Sequence, residues 1–234
     1  MVPVSSSAQL TLLPWLLGWA EAPDRTTFAA ALHAGSCAGI AWSLRSEIGQ
    51  LRAREVALLA ATSVPAAAAG FLGQDAVERR LGGRTRLAAL LAGAGVVLWV
   101  ADRRAATEPV TAKPAVAAAL AQVVALAPGV SRSGATLTAL RLLRVDRAQA
   151  ERFTLLMSLP ITAGAAGLTL LRADRQDLRR LRAPLLVGTP VAAVTAALST
   201  AGQRRRGGVP VGLSALYRLG LAAAVVVRRD KEQR

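Results

Sequence analysis

Hydrophobic residues in this chain gather in long stretches that are apolar on every side, instead of recurring on one face at helical or strand spacing. Such stretches run at about Ala8–Ala20, Phe28–Leu44, Val56–Gly73, Leu87–Ala101, Ala115–Ala127, Phe153–Leu171, Pro184–Ala201 and Val211–Val227. Stretches approaching the roughly 17–25 apolar residues of a membrane crossing predict transmembrane helices. Pro14, Pro65, Pro160 and Pro190 fall inside four of these stretches. In a membrane such interruptions survive only where neighbouring helices or a polar cavity satisfy the freed backbone groups. Small residues, Gly93-Ala94-Gly95 and Ala163-Gly164-Ala165-Ala166-Gly167, predict close helix packing. The pattern therefore predicts an all-α, polytopic membrane helix bundle: a single transmembrane domain over 1–234.

Charge sharpens this picture. The chain carries 29 Lys and Arg against 14 Asp and Glu, a net charge of +15, yet 53% of it is hydrophobic. A nucleic-acid reader would set its arginines on one continuous face, often with aromatics between them. Here arginines punctuate the apolar stretches and aromatics are 3% of the chain, so nucleic acid is not an expected partner. The single cysteine, Cys37, excludes an intramolecular disulfide framework and any cysteine-based metal cluster. No basic segment precedes Met1–Ser7, so a cleavable signal peptide is not expected. The Glu21–Thr26 connector holds one arginine beside two acids, whereas Arg172–Arg182 holds five arginines. Counting arginines places the first connector outside, with Arg172–Arg182 and the Arg228–Arg234 tail in the cytoplasm.

Two polar breaks carry the candidate chemistry. Pro128-Gly129-Val130-Ser131-Arg132-Ser133-Gly134-Ala135-Thr136 interrupts an apolar run that resumes at Leu137. An arginine this deep is expensive unless it is paired or faces water. Its guanidinium forks naturally onto phosphate oxygens. Ser131, Ser133 and Thr136 add hydroxyls, Gly129 and Gly134 let backbone N–H groups approach an anion, and a helix starting near Ser131 would aim its first amides at it. These features suit a phosphate cradle within the membrane; a polar re-entrant turn with Arg132 reaching the headgroups would use the same residues. The second break, Pro3-Val4-Ser5-Ser6-Ser7-Ala8, shares a proline, a Ser-x-Ser pair and a small residue, and it too opens an apolar run. Ser5, Ser6, Ser7 and Gln9 can present polar groups to the same anion, although three serines before a helix read first as caps. Paired breaks in two halves, roughly 1–101 and 115–227, match the way broken-helix membrane proteins build a midplane site. His33, the only histidine, reads as a hydrogen-bonded packing residue. No His, Cys, Asp and Glu cluster has metal-ligand spacing, and Glu47, Glu55, Asp75, Glu78, Asp146, Glu151, Asp174 and Asp177 read as connector charges.

Gln122-x-x-Ala125-x-x-Pro128-Gly129-x-Ser131-Arg132-Ser133-Gly134-Ala135-Thr136, continued by Arg147-x-x-Ala150-x-x-Phe153-x-x-Leu156-x-x-x-Pro160, resembles the second signature of the undecaprenyl-diphosphate phosphatase family. Pro3–Ala8 resembles the end of its first signature, and Phe28–Ala41 the helix that follows. The resemblance implies a bundle of two inverted repeats with re-entrant segments in the bacterial cell membrane, its active site facing outside. It implies removal of the terminal phosphate of undecaprenyl diphosphate, which regenerates the monophosphate carrier for cell-wall synthesis and links the family to bacitracin resistance. By resemblance Ser6 and Arg132 are the catalytic residues. Ser5, Ser7, Gln9, Ser131, Ser133, Gly134 and Thr136 line the substrate. A polyprenyl diphosphate lipid is the expected partner, and a homodimer is compatible with the sequence. The family also implies a divalent cation, Mg²⁺ or Ca²⁺, held by two glutamates ahead of the Pro-x-Ser-Ser segment. The chain opens at Met1, just before Pro3, so those glutamates are not in it; a start assigned too late would leave this pattern. Gln9 stands where the family has a histidine. A relative that binds or transports polyprenyl phosphates without cleaving them is the alternative these departures raise.

Overall fold

Among the described residues, every apolar stretch drawn above lies mostly in helix. A computed structural model describes residues 2–19, 25–208 and 210–232, without the side chains of 74, 75, 78, 231 and 232. The order is α1 (Ser6–Leu17), α2 (Arg25–Ser43), α3 (Arg45–Ile48), α4 (Ala53–Ala61), α5 (Val64–Leu81), α6 (Arg84–Asp102), α7 (Ala112–Val124), α8 (Arg132–Leu142), α9 (Arg147–Arg172), α10 (Arg175–Arg180), α11 (Arg182–Arg205) and α12 (Val211–Glu232). Five stretches are long and apolar enough to cross a membrane: Ala53–Gly73, Arg84–Asp102, Arg147–Arg172, Arg182–Arg205 and Val211–Asp230. Among the described residues the only β-structure is an isolated bridge between Glu108 and Val145. The chain is thus an all-α, multi-pass membrane protein.

The prolines act differently from one another. Pro14, Pro160 and Pro190 lie inside helices. Pro65 instead sits in the first turn of α5, just after the helix breaks between Ala61 and Val64, where its missing N–H has no intrahelical partner to lose. Small residues also pack in other places than the sequence suggests. Among the described residues, a methyl group at Gly93, Gly164 or Gly167 would meet nothing outside its own helix within 4 Å. Gly95 does meet a neighbour, described below.

The described residues form two compact units. One comprises 25–63 and 155–208. In it α2 and α11 run side by side in the same direction, in contact at Gly35 and Gly39. A methyl group at Gly35 would lie 2.3 Å from the carbonyl oxygen of Thr189, and one at Gly39 would lie 2.0 Å from that of Ala193. The backbones are therefore too close for any side chain on that face, as in small-residue packing between membrane helices. Arg204 pairs with Glu47 at 2.6 Å near the ends of the two helices. Cys37, half-buried, donates to the carbonyl of Leu159 at 3.6 Å.

The other unit comprises 2–19, 64–154 and 210–232. Here α6 and α12 pack antiparallel, with Gly95 against Arg218 and Thr85 against Arg229. α1 joins them through a buried cluster of Ala8, Leu12, Leu87, Ala88, Leu91, Leu221, Ala222 and Val225. α7 and α8 form a hairpin whose two ends are tied together. Glu108 N–H donates to Arg144 O at 2.9 Å, and Asp146 N–H donates to Glu108 O at 2.8 Å. The 13 residues of α7 reach only about 20 Å, short of a bilayer core of ~30 Å, and the hairpin returns to the end it left. Its base is locked by buried Arg141, which donates to the carbonyls of Val145 (2.7 Å), Asp102 (3.1 Å) and Arg104 (2.8 Å). Arg141 and Arg147 also flank the Asp102 carboxylate at 3.2 and 3.4 Å.

One expectation is corrected here. Arginine counting puts the Glu21–Thr26 connector and the Arg228–Arg234 tail on opposite faces. Arg228 donates to the carbonyl of Leu16, so the end of α1 that leads into that connector lies beside the end of α12 that leads into that tail. Residues 20–24 of the connector lie outside the described residues. With one arginine offset by two acids, that connector carries too little charge for counting to fix its side.

Candidate active site

The two polar breaks have the same local shape. Before α1, Ser5 takes the left-handed conformation at φ 63, and before α8, Ser131 likewise has a positive φ, 71, with a more extended ψ of 118. This conformation is costly for any residue but glycine. In each turn the serine hydroxyl lies 3.3 Å from that of the serine two residues on, Ser5 with Ser7 and Ser131 with Ser133. Ser131 Oγ also caps α8 by accepting from Gly134 N–H at 3.3 Å. Ser6 is exposed and opens α1; Arg132 is half-buried and opens α8. Thr136 is buried, and its hydroxyl donates to the carbonyl of Arg132 at 2.9 Å. At Gly129, φ is 95 and a methyl group would lie 2.6 Å from Leu87 O, so only glycine lets the turn press against α6.

α12 brings the two turns to one place. Ser214 Oγ donates to Pro3 O at 2.9 Å, and Tyr217 OH donates to Gln9 Oε1. Gln9 Nε2 in turn donates to Val4 O at 2.9 Å. Next to Tyr217, Arg218 turns toward the other break. Its aliphatic stem lies over Gly95 (a methyl there would be 2.9 Å from Cδ), and its Nη2 lies 2.9 Å from where a methyl on Gly134 would be. Among the described residues Arg218 is the largest fully buried side chain, and its Nε, Nη1 and Nη2 find no hydrogen-bond partner there. A buried, unpaired guanidinium is among the costliest arrangements in a protein, and it persists where an anion completes it. Because the end of α1 meets Arg228 through Leu16 O and the end of α8 meets Asp102 through Arg141, the two short helices start from one level of α12 and run in opposite directions. Their N-terminal amides carry partial positive charge at the level of the buried guanidinium.

Of the residues expected from sequence, Ser5, Ser6, Ser7, Gln9, Ser131, Arg132, Ser133, Gly134 and Thr136 all fall in this one unit. His33 lies in the other unit. Among the described residues no three His, Cys, Asp or Glu side chains gather. The groups brought to the two turns are hydroxyls, an amide and guanidinium, a donor set that does not fit Mg²⁺ or Ca²⁺; positive charge comes from Arg132 and Arg218. Ser214, Tyr217 and Arg218 were not expected from the sequence. The signal for them was an arginine inside the apolar stretch Val211–Val227, which by itself marks a functional position in a membrane helix.

A family model described as Bacitracin resistance protein BacA matches residues 1–205. The chain belongs to this family. It is 37% identical over 214 residues to an undecaprenyl-diphosphatase of Gemmatimonas aurantiaca, covering 83% of this chain and 79% of that relative. An undecaprenyl-diphosphatase of Geobacter metallireducens is 37% identical over 222 residues, covering 86% and 82%. That of Moorella thermoacetica is 36% identical over 214 residues, covering 85% and 80%. Membership agrees with the signature at Gln122–Thr136. Arg218 lies beyond the residues that the BacA model matches.

Proposed function

We propose that this BacA-family protein is an undecaprenyl-diphosphatase, hydrolysing the phosphoanhydride of undecaprenyl diphosphate. The P–O bond to the terminal phosphoryl group breaks, water supplies the new oxygen, and inorganic phosphate and the lipid monophosphate leave. The observation that carries this reading is the buried, partnerless guanidinium of Arg218 beside the Ser131–Gly134 turn. Phosphoryl transfer is mainly positioning and charge neutralisation. Arg132 and Arg218 supply two guanidinium forks, and the first amides of α8 supply fixed dipoles for the same oxygens. Ser131 and Ser133 are assigned to the diphosphate as hydroxyl ligands. Ser6, exposed at the start of α1, is assigned to the terminal phosphoryl group. The relatives named undecaprenyl-diphosphatase support this over a binding-only role.

The test is phosphate release from undecaprenyl diphosphate by the purified protein in lipid nanodiscs. Release is expected, and Arg132→Ala or Ser6→Ala is expected to slow it about 10²–10³-fold, the scale of losing one preorganised transition-state contact. No release by the wild type, or wild-type rates in both variants, would overturn the proposal.

The same reading places the protein in the bacterial cell membrane with its site open to the outside. The two breaks, running in opposite senses from one level of α12, support an inverted pair of re-entrant segments. Arg84 and Arg228 both stack on Trp15, at 5.2 and 5.1 Å, and Arg229 meets Thr85, which gathers arginines and an interfacial tryptophan at one end of the unit. That end is assigned to the cytoplasm. A cysteine at position 85 in a Cys37→Ser background should then label with a membrane-impermeant maleimide only after the cells are opened. Labelling of intact cells would reverse the orientation.

A further inference from the structure

Gln9 is bonded at both ends of its amide. Its Nε2 donates to the carbonyl of Val4 at 2.9 Å, and its Oε1 accepts from the hydroxyl of Tyr217. Between those two bonds lies the segment that sets where Ser6 stands. Ser5 has a left-handed backbone at φ 63 and no side-chain cap on α1; within the turn its hydroxyl meets only that of Ser7, at 3.3 Å. Two bonds from α12 hold it: Ser214 to Pro3 O directly, and Tyr217 to Val4 O through Gln9. A strained turn persists only when its surroundings over-determine it. The residue after Tyr217 is the buried Arg218, so one turn of α12 both fixes the first serine turn and delivers the guanidinium to the second.

We infer that Tyr217 and Gln9 form a strut that positions the Ser5–Ser7 turn against the phosphoryl group. They act through the backbone of Val4 and do not touch substrate. The inference rests on the diphosphatase reading for its kinetic consequence, although the geometry of the strut stands without it. A strut needs one donor and one acceptor at position 9. A glutamine supplies both, and so does a neutral imidazole, with one ring nitrogen protonated and the other bare. A leucine supplies neither.

The test is a double-mutant cycle in lipid nanodiscs with undecaprenyl diphosphate, read as kcat and KM separately, together with hydrogen–deuterium exchange of the peptide covering residues 2–12. Tyr217→Phe should lower kcat about ten-fold with KM within about two-fold, because the interaction is felt in positioning and not in uniform binding. Gln9→Leu should lower kcat at least as far, and the double variant should be no slower than Gln9→Leu, since the strut is already gone. Gln9→His should recover most of the loss seen in Gln9→Leu. In each weakened variant, exchange should speed up at residues 2–12 and stay unchanged at 130–140. A rise in KM at constant kcat would show that Gln9 binds substrate directly and would overturn the inference. So would additive losses, or exchange at residues 2–12 that the variants leave untouched. Should the wild type release no phosphate, the diphosphatase reading fails, while faster exchange in Tyr217→Phe would still uphold the strut.

Discussion

Replacing Arg218 by methionine should make the protein more stable and less active at once. Arg218 is fully buried, with Nε, Nη1 and Nη2 all unpartnered. Its stem already packs on Gly95, and methionine fills that path without a charge. Exchanging a buried ionic group for a well-packed hydrophobe of similar volume is neutral to stabilising by about 1–4 kcal/mol. Taking about 2 kcal/mol, and about 2–4 °C per kcal/mol for a chain of this size, the ligand-free variant should melt roughly 4–8 °C above wild type. With pyrophosphate at about 100 times its dissociation constant, the wild type should gain about 2.7 kcal/mol and overtake the variant, which gains nothing. Turnover of undecaprenyl diphosphate should fall about 10²–10³-fold. The assay is thermal unfolding of both proteins in the same detergent, with and without pyrophosphate, beside phosphate-release rates. A ligand-free variant that melts below wild type would show that Arg218 is internally satisfied. Pyrophosphate stabilising both proteins equally would show that the anion binds elsewhere; either result refutes the reasoning.

Three further outcomes follow from the same geometry. Gly134→Ala sets a methyl 2.9 Å from Arg218 Nη2 and should push the guanidinium off its line, lowering phosphate release about ten-fold with the melting temperature little changed. Gly129→Ala combines φ 95 with a contact of 2.6 Å to Leu87 O, and should destabilise the hairpin by about 2 kcal/mol or more, seen as a lower melting temperature. Asp102→Ala leaves Arg141 buried without its carboxylate and should cost about 3–5 kcal/mol, read by denaturant titration; Asp102→Asn should cost less, because its amide oxygen still accepts a hydrogen bond.

The long helices were legible because lipid imposes one rule on all of them: apolar outside and backbone bonded within. That rule marks α6, α9, α11 and α12 from composition alone. It marks α8 poorly, because Arg132–Leu142 is a short helix whose first turn is polar and whose partner is protein rather than lipid. The Ser-x-Ser turns were legible as a chemical type, though the positive φ of Ser5 and Ser131 was not. What holds them was not. Tyr217 and Arg218 lie more than 200 and more than 80 residues, respectively, from the turns they serve, and hydropathy reads α12 as one more apolar stretch. Close packing shows the same limit. Among the described residues a methyl group at Gly164 or Gly167 would meet open space, while one at Gly35 or Gly39 would meet the backbone of α11, a difference set by which face turns to a neighbour and not by glycine content.

The central claim is that Arg218 completes a diphosphate site with Arg132 and the two serine turns. It is tested most directly by initial rates of phosphate release from undecaprenyl diphosphate, measured side by side for wild type and Arg218→Met in nanodiscs of the same lipid. The account predicts release by the wild type and a loss of about 10²–10³-fold in the folded variant. A variant that releases phosphate as fast as wild type would contradict it.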